Sequence, residues 1–274
     1  MGIQLVCLGT TLRFNELGSV LKRGGVLLIS KFVAGAVIGI VVGKVFGTDG
    51  FLGLSALAII CAVTNSNGSV YLSLMQSYGD EVDSGAMALL SLNDGPFFTL
   101  VAMGASGLAN IPILSILAAI TPIIVGMILG NLDKSFSDFL APAGPILIPF
   151  VGLTLGAGID LSAVIKGGPS GVLLGFMTTF IGGAFIVLCD RKISKRPGYA
   201  GWAVATTAGN AVAVPAVVGL ADKSLEAYVP QATAQVAASV VITAILVPIV
   251  TNWWAHKYGC PKFPLEEKKT EAAK

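Results

Sequence analysis

Long, uninterrupted runs of apolar residues separated by short polar punctuation dominate the chain. They read as full spans at about 25–46, 51–77, 84–106, 111–131, 138–158, 168–189, 199–221 and 230–254, preceded by a truncated run from Met1 to about Leu12. Each full run is close to the roughly 20 residues an α-helix needs to cross hydrocarbon. The runs are continuous rather than alternating, so the period-2 strands of a membrane barrel do not fit. The pattern predicts an all-α membrane protein, a polytopic helical bundle. From Ala255 to Lys274 the chain is polar and charged and reads as a disordered tail.

Composition supports the same class. Of 274 residues, 54% are hydrophobic and 12% charged, with mean hydropathy +0.84. A soluble chain carries about twice that share of charge, and a disordered one is poor in apolar residues. The 34 glycines follow no triplet period and suit helices that approach closely inside lipid. A net charge of +2 points to no nucleic-acid partner. The distribution of the basic residues says more. Arg13, Lys22, Arg23, Lys134, Arg191, Lys192, Lys195, Arg196, Lys257, Lys262, Lys268, Lys269 and Lys274 fall on one side of the drawn spans, against Lys44, Lys166 and Lys223 on the other. Lysine and arginine concentrate on the cytoplasmic side, so the C-terminus is expected inside. Cys7, Cys61, Cys189 and Cys260 have no metal spacing, and His256 is the single histidine. No cofactor or metal motif appears.

Self-comparison suggests a duplication. Leu8–Phe14 resembles Leu155–Leu161 at a shift of 147, which also sets Gly24 on Gly171, and a shift of 145 sets Asn65 on Asn210. The copies run in opposite directions, the mark of an inverted repeat. Residues 1–107 then form a first half, 108–254 a second, and 255–274 the tail. The span at 111–131 has no partner in the first half, so the expectation is five-helix halves with the first helix missing from this chain.

Two spans contain residues that disfavour helix. Thr64-Asn65-Ser66-Asn67-Gly68 lies inside 51–77, and Thr206-Thr207-Ala208-Gly209-Asn210 with Pro215 lies inside 199–221. Their side chains compete for backbone hydrogen bonds, or leave the backbone unrestrained. A break at membrane depth is tolerable only where the backbone lines a cavity or is buried in protein. Paired breaks in two halves are the best sequence pointer to a transport site. Each leaves a half-helix N-terminus, near Ser69 and near Pro215, whose amides and positive dipole end favour an anion. A substrate carboxylate fits there, with Asn65, Asn67, Asn210 and the threonine hydroxyls meeting substrate hydroxyls.

Within 84–106, Ser91-Leu92-Asn93-Asp94-Gly95-Pro96 carries Asp94, read as the only carboxylate well inside a span and a candidate proton carrier. Lys31, the lone intramembrane cation, pairs either with Asp94 or with a substrate carboxylate. Gln231, Thr233 and Gln235 read as glue between helices. Gly104-Ala105-Ser106-Gly107 matches a serine-hydrolase pattern, but the only histidine, His256, falls on the opposite side.

Several of these segments together resemble bacterial 2-keto-3-deoxygluconate permeases, within the wider group that includes bile-acid sodium symporters. The resemblance runs from Leu8 to about Trp254. It rests on Gly53-Leu54-Ser55-Ala56-Leu57-Ala58, Thr64-Asn65-Ser66-Asn67-Gly68, Ser91-Leu92-Asn93-Asp94-Gly95-Pro96, Gly130-Asn131-Leu132-Asp133, Leu147-Ile148-Pro149-Phe150 and Ala244-Ile245-Leu246-Val247-Pro248. It implies ten helices in inverted halves whose fourth and ninth cross at the site. It also implies proton-coupled uptake of 2-keto-3-deoxygluconate, a small sugar acid, across a bacterial inner membrane. Asn93 stands where a glutamate is expected in some relatives, with Asp94 beside it. The alternatives are a sodium-coupled organic-anion symporter, an intramembrane hydrolase built on Ser106, and a non-transporting remnant.

Overall fold

The computed structural model describes residues 2–12, 17–47, 49–93, 95–143, 146–147, 150 and 161–265. The helices are α1 (Gly2–Gly9), α2 (Leu17–Phe46), α3 (Ala56–Thr64), α4 (Gly68–Tyr78), α5 (Glu81–Leu90), α6 (Phe97–Ala105), α7 (Ile113–Leu132), α8 (Lys134–Leu140), α9 (Leu161–Phe176), α10 (Gly183–Lys192), α11 (Tyr199–Val204), α12 (Val214–Ala221) and α13 (Val229–Tyr258). No strand occurs among the described residues. Among the described residues, six helical segments are long and apolar enough to cross a membrane, and a seventh if the bent pair Glu81–Asn93 and Phe97–Ala105 counts as one. The chain is an all-α polytopic membrane protein.

Three of the drawn spans differ from the structure. The run at 84–106 is not straight: it turns through 59° where a short 3-10 turn, Ser91–Asn93, gives way to Gly95-Pro96. Proline has no amide to continue the ladder, and Pro96 instead sits at the entry to α6. The run at 168–189 reaches Lys192 and contains a π turn over Met177–Gly182, which inserts a wider turn between α9 and α10. The last helix continues to Tyr258, beyond the boundary at 254, and Cys260 is buried after it, so the start of the drawn tail is ordered. The run at 138–158 falls largely outside the described residues, as do Asp94 and the end of the tail.

Close approach of α2 to α3 depends on glycine. A Cβ on Gly39 would overlap the Ile60 side chain, and one on Gly35 would lie 2.6 Å from the Thr64 amide nitrogen. Lys31, Gly35 and Gly39 recur every four residues and so share one face of α2. That face therefore lies against the end of α3. A similar contact joins α1 to α7, where a Cβ on Gly126 would overlap the Val6 carbonyl. With α8, these two helices form a sub-bundle that meets α6 through α7. Between it and the rest lies a mostly apolar cleft of about 330 Å³, lined by Leu5, Pro96, Ala119, Pro122, Val217 and Leu220 among others.

One end of the bundle is tied by charge. Arg23, 4% exposed, donates to Asp83 at 2.6 Å and to Asp190, both carboxylates fully buried. The Tyr199 hydroxyl donates to the same Asp83 carboxylate, and the Tyr71 hydroxyl to the Asp83 carbonyl at 2.8 Å. Arg196 reaches Asp80 at 2.6 Å, and Lys262 donates to the Gln76 carbonyl at 2.9 Å. The basic segments around 22–23, 191–196 and 257–262 therefore share an end. Asp83, in the first turn of α5, and Asp190, in the last turn of α10, are buried carboxylates at the margins of the spans. At the other end, Gln231 and Gln235 donate to the Gly53 carbonyl at 3.1 and 2.6 Å, and Tyr228 donates to Asp49. Gln235 also donates to Ser170 of α9 at 2.9 Å and so acts between helices, whereas Gln231 reaches the turn that precedes α3.

The buried network sets a sharp contrast with surface pairs. Replacing Arg23 with Gln takes the guanidinium from buried Asp190 and leaves Asp83 only the more distant Arg196 at 3.7 Å, and is expected to cost about 3–5 kcal/mol. Lys134→Gln removes a partner of Asp138 from an exposed pair and is expected to cost under about 1 kcal/mol. Thermal unfolding in detergent measures both.

Candidate functional site

Both suspected interruptions are present. α3 ends at Thr64, Asn65 follows in extended geometry (φ −102°, ψ 139°), and α4 begins at Gly68 with Asn67 as its N-cap. The Asn67 carboxamide oxygen accepts from the Val70 amide at 3.1 Å, so part of the bare amide end expected near Ser69 is capped by the chain itself. In the second span α11 ends at Val204. Residues 205–208 are non-helical, a 3-10 turn covers Gly209–Ala213, and Pro215 lies in the first turn of α12. A fixed φ and no amide donor suit proline to that place.

The two breaks bond to each other. The Asn67 amide donates to the Thr206 hydroxyl at 2.7 Å, across 139 residues of sequence. The Thr206 carbonyl accepts from the Lys31 ammonium, also at 2.7 Å. Thr206 and Lys31 are wholly buried. Lys31 thus meets a backbone carbonyl, and no described carboxylate lies within ion-pair distance of it.

Around the first break, Thr64 donates its hydroxyl to the Ile60 carbonyl at 2.7 Å and meets the Thr99 hydroxyl at 3.1 Å. The Asn65 amide group donates to the Cys61 carbonyl at 2.9 Å and to Thr99 at 3.2 Å. Ser66 donates to the Asn93 side-chain oxygen at 3.1 Å, and Asn93 donates to the Thr64 carbonyl at 3.3 Å. Asn93 is thereby brought onto the break from the bent helix. Asp94 lies outside the described residues. Around the second break, Thr207 is held by α13: its amide donates to Thr243 at 2.9 Å and its hydroxyl meets Ser239 at 2.8 Å.

Of the residues singled out from the sequence, Thr64, Asn65, Ser66, Asn67 and Asn93 gather with Thr206 and Lys31. Thr207 turns toward α13. Gly68 and Pro215 open the following half-helices, and Asn210, 4% exposed, lies on the 3-10 turn between. Thr99, Ser239 and Thr243 complete the polar shell and escape a reading of the sequence, because single hydroxyls in apolar helices carry no pattern of their own. The Asn65 side-chain oxygen is buried and unbonded. An unpaired buried acceptor costs about 1–3 kcal/mol, which a ligand hydroxyl entering here would recover. Ser106 donates to its own helix at the Met103 carbonyl, and His256 stacks on Phe263 beside Tyr78 at the charged end, so nothing assembles a hydrolytic pair.

The hydroxyl of Thr206 is what keeps the Asn67 amide from being stranded. Thr206→Val is expected to cost about 1–3 kcal/mol in detergent melts, and Thr206→Ser, which keeps the hydroxyl, is expected to restore most of it.

Comparison with known proteins gives the context of this crossing. A profile of the family described as KdgT, 2-keto-3-deoxygluconate permease, matches residues 1–260. The 2-keto-3-deoxygluconate permease 1 of Salmonella typhimurium is 47% identical over 257 residues, covering 94% of this chain and 81% of that protein. The 2-keto-3-deoxygluconate permease of Enterobacter sp. strain 638 is 37% identical over 99% of this chain and 84% of its own length. That of Bacillus subtilis is 36% identical over 92% and 78%.

Proposed function

The chain belongs to the 2-keto-3-deoxygluconate permease family, and from that membership we propose that it carries out proton-coupled uptake of 2-keto-3-deoxygluconate, or a similar small sugar acid, across the bacterial inner membrane. It is a transporter rather than an enzyme. The observation that carries the reading is the pair of interrupted helices joined by the Asn67–Thr206 bond, with the Lys31 ammonium on the same threonine. Interrupted helices supply amide-bearing N-termini for an anion and carbonyl ends for a cation at one depth in the membrane. A sugar acid has both a carboxylate and hydroxyls, and the crossing offers partners for both.

In this reading the carboxylate approaches the starts of α4 and of the 209–213 turn, while Asn65, Ser66, Asn93, Thr207 and Asn210 exchange their internal bonds for bonds to substrate hydroxyls. Asp94 is the candidate for coupling or substrate contact that the sequence offers, and Lys31 is the buried ionisable group at the crossing. The two halves form an inverted repeat, and the end bearing Arg23, Arg196 and Lys262 faces the cytoplasm together with the C-terminus. The apolar cleft between α1 and α7 on one side and α12 on the other supports alternating access by relative movement of two bodies.

Uptake of labelled 2-keto-3-deoxygluconate into vesicles containing the chain tests this. Accumulation is expected to follow an inward proton gradient, to collapse with a protonophore and to ignore sodium; dependence on sodium instead would make it the sodium-coupled carrier. Asn65→Ala and Asn210→Ala are each expected to lower uptake at least tenfold while the protein still inserts. Normal uptake by both variants removes the crossing as the binding site.

A further inference from the structure

Lys31 stands out among the buried groups. It projects from the middle of α2, is fully buried, and donates to the Thr206 carbonyl. One turn along the same face, Gly35 lies so close to the end of α3 that a Cβ there would be 2.9 Å from the Val63 carbonyl carbon. The ammonium therefore sits where α3 and α11 both terminate, at Thr64 and Val204. These are the negative, carbonyl-bearing ends of the half-helices, the positions at which interrupted transporter helices hold a coupling cation. Here the position is already filled, by a cation belonging to the chain.

Other titratable groups packed on α2 are engaged elsewhere. Asp83 from α5 and Asp190 from α10 are taken by Arg23, eight residues and about 12 Å along the helix. Tyr71 of α4 and Tyr199 of α11 donate to Asp83. α3 contributes Cys61, and α6 and the π turn contribute no titratable side chain. Asp94 lies outside the described residues.

We propose that the Lys31 amine is the coupling site of this carrier, an internal cation that replaces a bound metal ion. This rests on the crossing being the substrate site. Lys31 takes a proton from water on the high-proton side, and the resulting ammonium holds the Thr206 carbonyl and offsets the charge of the arriving carboxylate. After reorientation the proton passes to water on the low-proton side, and the neutral amine returns with the empty site. One proton then moves with one monovalent acid, so the cycle is electroneutral and needs no sodium.

The test uses the whole chain with Lys31→Met, which keeps length without charge, and Lys31→Arg, which keeps charge without a usable proton. Without substrate, the melting temperature of the wild type in detergent is expected to show a one-proton pH dependence that both variants lack. Identical pH profiles for wild type and variants overturn the proposal, whatever the protein transports. If the profiles differ but the wild type exchanges no labelled 2-keto-3-deoxygluconate, the substrate assignment fails and the proton site stands. In vesicles, Lys31→Arg is expected to lose at least tenfold of its accumulation under a pH gradient. Wild-type accumulation is expected not to change when a membrane potential is imposed. Full gradient-driven accumulation by Lys31→Met, or accumulation that follows the potential, overturns the proposal.

Discussion

Hydrocarbon offers a bare peptide group no partner, so a helix interrupted inside a membrane has to find its missing hydrogen bonds within the protein. That demand shapes the centre of this molecule. Thr206 meets it twice over, its hydroxyl receiving the amide of Asn67 and its carbonyl receiving Lys31. Its neighbour Thr207 is fixed to Ser239 and Thr243. The first interruption is served in turn by Thr99 and Asn93. Neither break is satisfied by its own half of the chain alone, and the crossing exists only when all of these elements are assembled.

The surrounding architecture makes that assembly possible. Gly35 and Gly39 bring α2 near enough for Lys31 to reach the second interruption. The end of the π turn and the start of α10 pack against the two breaks, since Gly182 faces Val63 at the end of α3 and Gly183 faces Trp202 and Ala205 at the end of α11. The bend between Ser91 and Phe97 delivers Asn93 to Ser66. An irregularity in a third and a fourth helix thus accompanies each irregularity in the crossing pair.

The interruptions are legible in the sequence because they are local: several poor helix formers in succession inside an apolar run point directly to a break. The class is legible from the length of the runs, and the family from short segments such as Ser91–Pro96 that apolar composition alone would not produce. The Arg23 network is not legible. Arg23, Asp83 and Asp190 fall at the ends of drawn spans, where charge is ordinary, and their pairing spans 60 and 167 residues. The π turn leaves no clear mark either, because hydropathy averages over a window and is blind to how a helix is wound. Polarity inside a span therefore announces itself, while charge at its margins registers only as a count.

Arg23 carries a consequence for how separate parts of the chain answer to one another. Its two carboxylates come from α5 and α10, 60 and 167 residues away. A guanidinium held by both registers the seating of either helix, so a disturbance of α10 is felt on α2 and on α5 at the same end of the bundle.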